Sequence, residues 1–257
     1  MMELLRATLL LFRTHLPRLL FSRRAALALL IALAPALLSC VALGFDDGPE
    51  PLEVILFPTW MLLFQVVVPL TSLIMGSAVI SEEIDDRTIT YLFTRPFPRA
   101  ALLLGRWLAT ALVLALILGT GAVLHTVAVE LLSGENVPIE MTRPIVEISM
   151  LGGAVYSALF AALGTFQKRP MIVGLGYCFV IEGILANMPG KNQGLAIVHH
   201  LRSYVAGSSD LWDKLRDGPY QELGTPQDAL SSLLTVLVIA LVLGSVVVSR
   251  RQYVLTS

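Results

Sequence analysis

The sequence predicts an all-α integral membrane protein: six transmembrane helices behind an N-terminal amphipathic interfacial helix, with both termini cytoplasmic. Three observations predict it. Of the 257 residues, 56% are hydrophobic and 14% charged, against about 25% charged in an ordinary soluble domain, and the mean hydropathy is +0.77. The apolar residues gather into runs of about 20 instead of recurring at the period of an aqueous core. The basic residues, finally, are concentrated on one side of those runs.

Six runs are long enough to cross about 30 Å of hydrocarbon at about 1.5 Å per residue: 25–43, 54–80, 107–129, 148–166, 171–188 and 230–248. Helices are required, because barrel strands are shorter and alternate polar with apolar. The first run is too long, and too far from the chain start, for a cleavable signal. Thirteen Lys and Arg flank the inner ends of the spans and five lie on the other side, which places both termini, the 81–106 loop and Lys168 in the cytoplasm and the 189–228 loop outside. Neither net charge, −1, nor its distribution speaks for nucleic acid. Cys40 and Cys178 both fall inside apolar runs and read as packing residues, not as a disulfide or zinc site.

Residues 1–24 form an amphipathic pattern. Leu4, Leu5, Leu9, Leu11, Phe12, Leu16, Leu19 and Leu20 share one half of a helical wheel, opposite Glu3, Arg6, Arg13 and Arg18. A basic flank that merely orients the first span is the other reading, since Pro17 would kink the helix. The six-span body then occupies 25–248, and 249–257 is a cytoplasmic tail.

The inner loop 81–106 is longer than a connection needs. It surrounds the apolar patch Ile89, Tyr91, Leu92 and Phe93 with Glu82, Glu83, Asp85, Asp86, Arg87, Arg95, Arg99 and Arg106. A docking surface for a cytosolic partner and a solvated charged loop both suit it. Pro96 and Pro98 end any helix there. In the outer loop 189–228, Leu201, Tyr204, Leu211, Trp212, Leu215 and Tyr220 suggest short helices against the outer leaflet or capping the bundle. His199, His200 and Asp210 lack metal-ligand spacing, because adjacent histidines point apart.

Glu182 is the one carboxylate near mid-membrane, about 16 Å into the fifth run from Met171. An acid there costs roughly 2.5–3.5 kcal/mol on insertion scales, so it faces protein or a water-filled cavity. Two roles fit: a pathway residue, or a clasp hydrogen-bonded to Ser, Thr or Tyr nearby. Gly174, Gly176 and Gly183 on the same run are expected to permit close helix approach.

The stretch from Glu82 to Arg99, followed by Gly105-Arg106, resembles the loop after the second span in membrane subunits of type-2 ATP-binding cassette exporters: an acidic stretch, Thr88, a Leu-containing turn at Tyr91-Leu92-Phe93, Arg95-Pro96, and Arg99. The family often carries Gly before the Thr, where this chain has Arg87. The overall layout is similar too, as is Glu182-Gly183 followed by Asn187 and Pro189-Gly190 in the fifth run. The resemblance implies a permease, without cofactor of its own, in the inner membrane of a prokaryote. It would pair with a second permease copy, as a homodimer or with a related chain, and bind two copies of a separate ATPase that holds ATP and Mg. That ATPase would drive the spans through the loop residues Glu82, Glu83, Asp86, Arg87, Thr88, Tyr91, Leu92, Phe93, Arg95, Pro96 and Arg99, with export as the direction. Independently, the chain contains no Gly-x-x-x-x-Gly-Lys-Ser/Thr phosphate loop; Pro189-Gly190-Lys191-Asn192 lacks the first glycine and the hydroxyl.

Two rival classes meet difficulties. Glu82-Glu83-x-x-x-Arg87 also looks like the first motif of intramembrane metal-dependent proteases, but His125, His199 and His200 lie towards the outer side by the charge count, away from those acids. A secondary transporter of inverted three-plus-three repeats would show internal similarity and more ionisable residues in its spans.

Overall fold

The structure, a computed structural model, describes residues 2–44, 51–85, 98–167, 169–188, 191–208 and 223–250. Among them no strand occurs. Six helical spans are long and apolar enough to cross a membrane: Arg23–Leu43, Glu53–Ser81, Arg99–Ser133, Ile139–Phe166, Pro170–Asn187 and Pro226–Arg250. The chain is thus an all-α integral membrane protein, as its sequence predicts.

Local chemistry explains where the spans begin, break and stop. Ser22 caps the first span, its side chain accepting the Ala25 N–H at 3.1 Å. That span is broken into Arg23–Ala32 and Ala34–Leu43, because Pro35 cannot donate to the preceding turn. Gly121 of the third span lies under the break: a Cβ there would sit 2.5 Å from the Ala32 carbonyl oxygen. Pro98, in extended conformation, starts the third span, and Gly134 at φ 71° ends it.

The third and fourth spans are longer than the apolar runs. The third has 35 residues, roughly 50 Å at 1.5 Å each, so it projects well past the hydrocarbon. Its first two turns, from Arg99 to Arg106, belong to what the sequence suggests is loop. The helix after the second span likewise continues to Asp85. The connection is therefore bounded by two helix ends, Asp85 on one side and Arg99, after the initiating Pro98, on the other.

Helix enclosure is uneven. The second span has 78% of its apolar stretch buried, whereas the first, fifth and sixth have 28%, 22% and 22%, so the second, third and fourth spans form the centre. At one end Val79, Ile80, Leu102, Leu103, Ala161 and Val248 cluster with Leu11 of the N-terminal helix. That helix runs unbroken from Met2 to Leu20 through Pro17. It packs on the third span, where a Cβ on Gly105 would lie 2.7 Å from the Thr8 carbonyl oxygen. Its apolar half is divided: Leu11, Leu16 and Leu19 turn to the bundle, while Leu5, Leu9 and Leu20 remain exposed.

At the opposite end a 12-residue helix, Ile197–Ser208, enters the bundle. It buries Ile197, Val198, Leu201, Arg202, Ser203, Val205 and Ala206. Leu201 reaches mid-span, close enough that a Cβ on Gly152 would be 3.1 Å from its Cδ2. Wedging into the bundle, not lying on a leaflet, follows from its continuous buried stripe.

Candidate functional site

Two π-helical segments face each other in the half of the bundle that receives this outer helix. One is Pro58–Val67 of the second span, the other Cys178–Ile184 of the fifth. Such wide turns are rare and concentrate at functional sites. Pro58 accounts for the first, since it withholds an N–H from the helical ladder.

Glu182 sits in the second of these segments and is fully buried. Its span buries little, only the narrow stripe Pro170, Gly174, Glu182 and Ala186, and the carboxylate faces inward on that stripe. One oxygen accepts the Tyr177 hydroxyl at 2.7 Å and the Ile197 N–H at 3.1 Å. The other accepts the Val198 N–H at 3.0 Å. Glu182 therefore caps the outer helix at its positive end, with three donors supporting its charge. The Tyr156 hydroxyl also faces this carboxylate, short of hydrogen-bond geometry.

Gln65, on the first π segment, joins the capping residue to a buried cation. Its amide nitrogen donates to the Glu182 backbone carbonyl, and its amide oxygen accepts from the Arg202 guanidinium. Arg202 is 1% exposed. It donates also to Asn187 Oδ1 at 3.1 Å and the Trp60 carbonyl at 3.3 Å, and lies 5.6 Å from the Trp60 ring centroid. Asn187 in turn donates to the Gly183 carbonyl at 2.8 Å. Taking a guanidinium out of water costs several kcal/mol unless its donors are met, and here the planar fork spans three acceptors and an aromatic face. The second span, the fifth span and the outer helix are thus tied at one polar latch.

A second polar tie joins the first three spans. His125, fully buried, lies 3.1 Å through Nδ1 from Ser39 Oγ and 3.1 Å through Nε2 from Thr59 Oγ1. Ser39 also donates to the Pro35 carbonyl at 3.0 Å, and the tautomer sets which ring nitrogen donates and which accepts. A neutral imidazole satisfies both hydroxyls.

The remaining sequence-predicted residues divide three ways. Glu82 and Glu83 lie in the helix Ala78–Asp85 that ends the second span, and Arg99 is the first residue of the third. Asp86, Arg87, Thr88, Tyr91, Leu92, Phe93, Arg95 and Pro96 lie outside the described residues. Of the three glycines on the fifth run, only Gly174 supports close approach, to Leu73 and Phe160; a Cβ on Gly176 would meet open space, and one on Gly183 only Cys178 O at 3.5 Å. Gly183 is exposed, so its contribution is the carbonyl that holds Asn187.

Among the described residues no group of three or more His, Cys, Asp or Glu is arranged to hold a metal. His199 and His200 meet edge to face, their ring centroids 5.4 Å apart, and His200 Nε2 donates to the Gly194 carbonyl at 3.0 Å. Desolvation first, then the charges of His200 and Arg202, push His199 down to about 4. His125, engaged through Thr59, is roughly 30 Å along the second span from Glu82, too far for a shared metal.

Sequence reasoning located Glu182 but missed Gln65, Trp60 and Arg202. The signal for Gln65 was present: it is the one amide side chain in the 54–80 run, and an isolated strong donor and acceptor in hydrocarbon needs a partner. In the sequence Arg202 is only one of the five cations on the outer side.

A bundle of six apolar spans, tied by a polar latch to a wedged outer helix, defines a multi-pass membrane protein. The chain matches the family described as ABC-2 family transporter protein over residues 24–253, and it belongs to that family. It is a multi-pass membrane permease of an ABC transporter, a family membership that implies a partner ATPase subunit. No curated protein matches it significantly.

Proposed function

We propose that this chain forms the substrate pathway of an exporter, pairs with a second permease copy, and takes its power strokes through the 81–106 region from two ATPase subunits in the prokaryotic inner membrane. The single observation that carries the reading is the family match over residues 24–253. The second span supports a mechanical route. Its inner end leads into the Glu82–Arg99 stretch, and its outer half carries Trp60 and Gln65. As the most enclosed span, it moves little independently of its neighbours. A displacement begun at Glu82 would therefore be felt at the Gln65–Arg202 contact, loosening the outer helix and opening the outer side.

Within the docking region, Tyr91, Leu92 and Phe93 form the apolar anchor and Glu82, Asp86, Arg95 and Arg99 the polar rim. Buried aromatic and aliphatic anchors dominate interfaces, while exposed charge pairs contribute about 1 kcal/mol or less. Purification in mild detergent tests the proposal: an ATPase should co-purify, ATP turnover should be absent from the isolated chain, and Leu92→Asp should abolish assembly while Glu82→Ala only weakens it. The reverse ranking, or turnover by the chain alone, would overturn it.

A further inference from the structure

The outer helix Ile197–Ser208 begins with a cluster of basic side chains: His199 and His200 in its first turn, then Arg202. Arg202 is committed to the latch, bonded to Gln65, Asn187 and the Trp60 carbonyl. The two histidines lie beside it, half-buried, with their rings edge to face at 5.4 Å. His200 Nε2 bonds the Gly194 carbonyl at 3.0 Å and so ties the turn that leads into the helix. Ser203 donates to the His199 carbonyl at 2.9 Å and accepts the Gly224 N–H at 3.2 Å, which fixes the same turn against the chain entering the sixth span. The histidines thus sit where the helix is seated, not on a free flank.

That seat suits neutral rings. The first turn of a helix is its positive end, where a cation is disfavoured. The charged groups facing the pair give little relief. Arg202 stands one turn on and repels a second cation. The Glu182 carboxylate of the fifth span is taken up by the Ile197 and Val198 amides and the Tyr177 hydroxyl. On the fourth span Glu147 is paired with Arg143 and bonded to Tyr204, and on the sixth Asp228 accepts from Thr225. The Pro58–Val67 segment of the second span has no ionisable side chain, and the side chain of Lys191 lies outside the described residues. Desolvation pushes both imidazoles below the ordinary 6.5, with the charges of His200 and Arg202 adding to it at His199. Once the helix leaves its seat, water restores the ordinary value, so the released state binds more protons. We propose that His199 and His200 form an acid-sensitive release, keeping the outer helix seated at neutral pH and freeing it when the outer side acidifies. The claim extends the reading in which loosening this helix opens the outer side, but its test uses neither ATP nor substrate and so stands or falls separately.

Thiol labelling of the full-length protein in isolated membranes, with Cys40 and Cys178 replaced, tests it. Ala206→Cys places the thiol on the seated face, where Ala206 is 1% exposed. Ser208→Cys, at an exposed position of the same helix, reports the effect of pH on the thiol chemistry itself. With a methanethiosulfonate reagent, the labelling rate at 206 relative to 208 should rise about tenfold between pH 7.5 and 5.5, the change expected of one histidine that titrates at the ordinary value only when released. In His199→Asn/His200→Asn the ratio should stay nearly flat. Hydrogen exchange at the Ile197 and Val198 amides, corrected for its intrinsic pH dependence, reads the same release in the unsubstituted protein should the cysteine disturb the seat, and should speed up by a similar factor. A ratio or exchange rate that does not change with pH, or an equal rise in the double histidine variant, would overturn the proposal.

Discussion

Glu182 and Val198 lie sixteen residues apart in the chain, yet a carboxylate oxygen of the first accepts the backbone N–H of the second at 3.0 Å. The fifth span thereby supplies the N-cap of a helix that it does not contain. A glutamine would keep one acceptor and lose the charge that the helix end favours, so Glu182→Gln should cost about 1 kcal/mol. Glu182→Ala, which strands both amides and Tyr177, should cost about 3 kcal/mol. Thermal unfolding of the purified protein checks the ranking. Unchanged stability with altered transport in Glu182→Gln would assign it to the pathway instead.

Arg202 should be the least replaceable polar residue of the outer helix. Removing it leaves Gln65, Asn187 and the Trp60 carbonyl without their shared donor, so Arg202→Ala should destabilise by about 3–5 kcal/mol. Arg202→Lys should rescue little, because an ammonium lacks the planar fork. A double-mutant cycle with Gln65→Ala should give a coupling of about 0.5–3 kcal/mol, measured by thermal melting.

His199 and His200 should make stability depend on pH. Both are pushed below the ordinary 6.5 by desolvation, His199 to about 4. In that window the unfolded chain binds more protons than the folded one. Stability should be full above about pH 6.5 and fall as pH drops towards 4. Melting temperatures from pH 7 to 5 should decline in wild type and decline less in His199→Asn/His200→Asn; parallel curves would refute the assignment.

Gly121→Val should force the first span off the third, since even a Cβ would lie 2.5 Å from the backbone oxygen of Ala32. A cost of about 1–3 kcal/mol is expected, with lower yield from the membrane. Gly176→Ala, whose Cβ would meet open space, is the matched control and should be neutral.

The orientation follows from charge alone and can be read directly. With Cys40 and Cys178 replaced, a cysteine at Ser208 should react with a membrane-impermeant thiol reagent in intact cells and one at Thr94 should not. Labelling at 94 but not 208 would reverse the topology.

Spans were legible because each is a long apolar run, and hydrocarbon admits no other spanning form. Their ends were less so. Helix continues beyond the apolar run, as from Arg99 to Arg106 and, through Pro144, from Ile139 into the fourth span. Glu182 was legible because a carboxylate in hydrocarbon stands out by cost alone. Its partners were not, since two are backbone amides, which carry no side-chain signature, and Arg202 looks like any loop cation until its helix is seen to enter the bundle. Glycine spacing misled at Gly176 and Gly183, because it records small size without recording which face meets a neighbour.

The wedged outer helix also constrains the order of biosynthesis. Arg202 emerges after the fifth span and must first be translocated with its loop. Its acceptors come from two spans laid down earlier, Trp60 and Gln65 from one and Asn187 from the end of the other. Only a nascent chain with both spans already integrated can dehydrate that guanidinium. A misinserted second or fifth span would leave the arginine stranded in solvent with its helix unlatched, giving cellular proteases a clear mark by which an unfinished chain differs from a mature one.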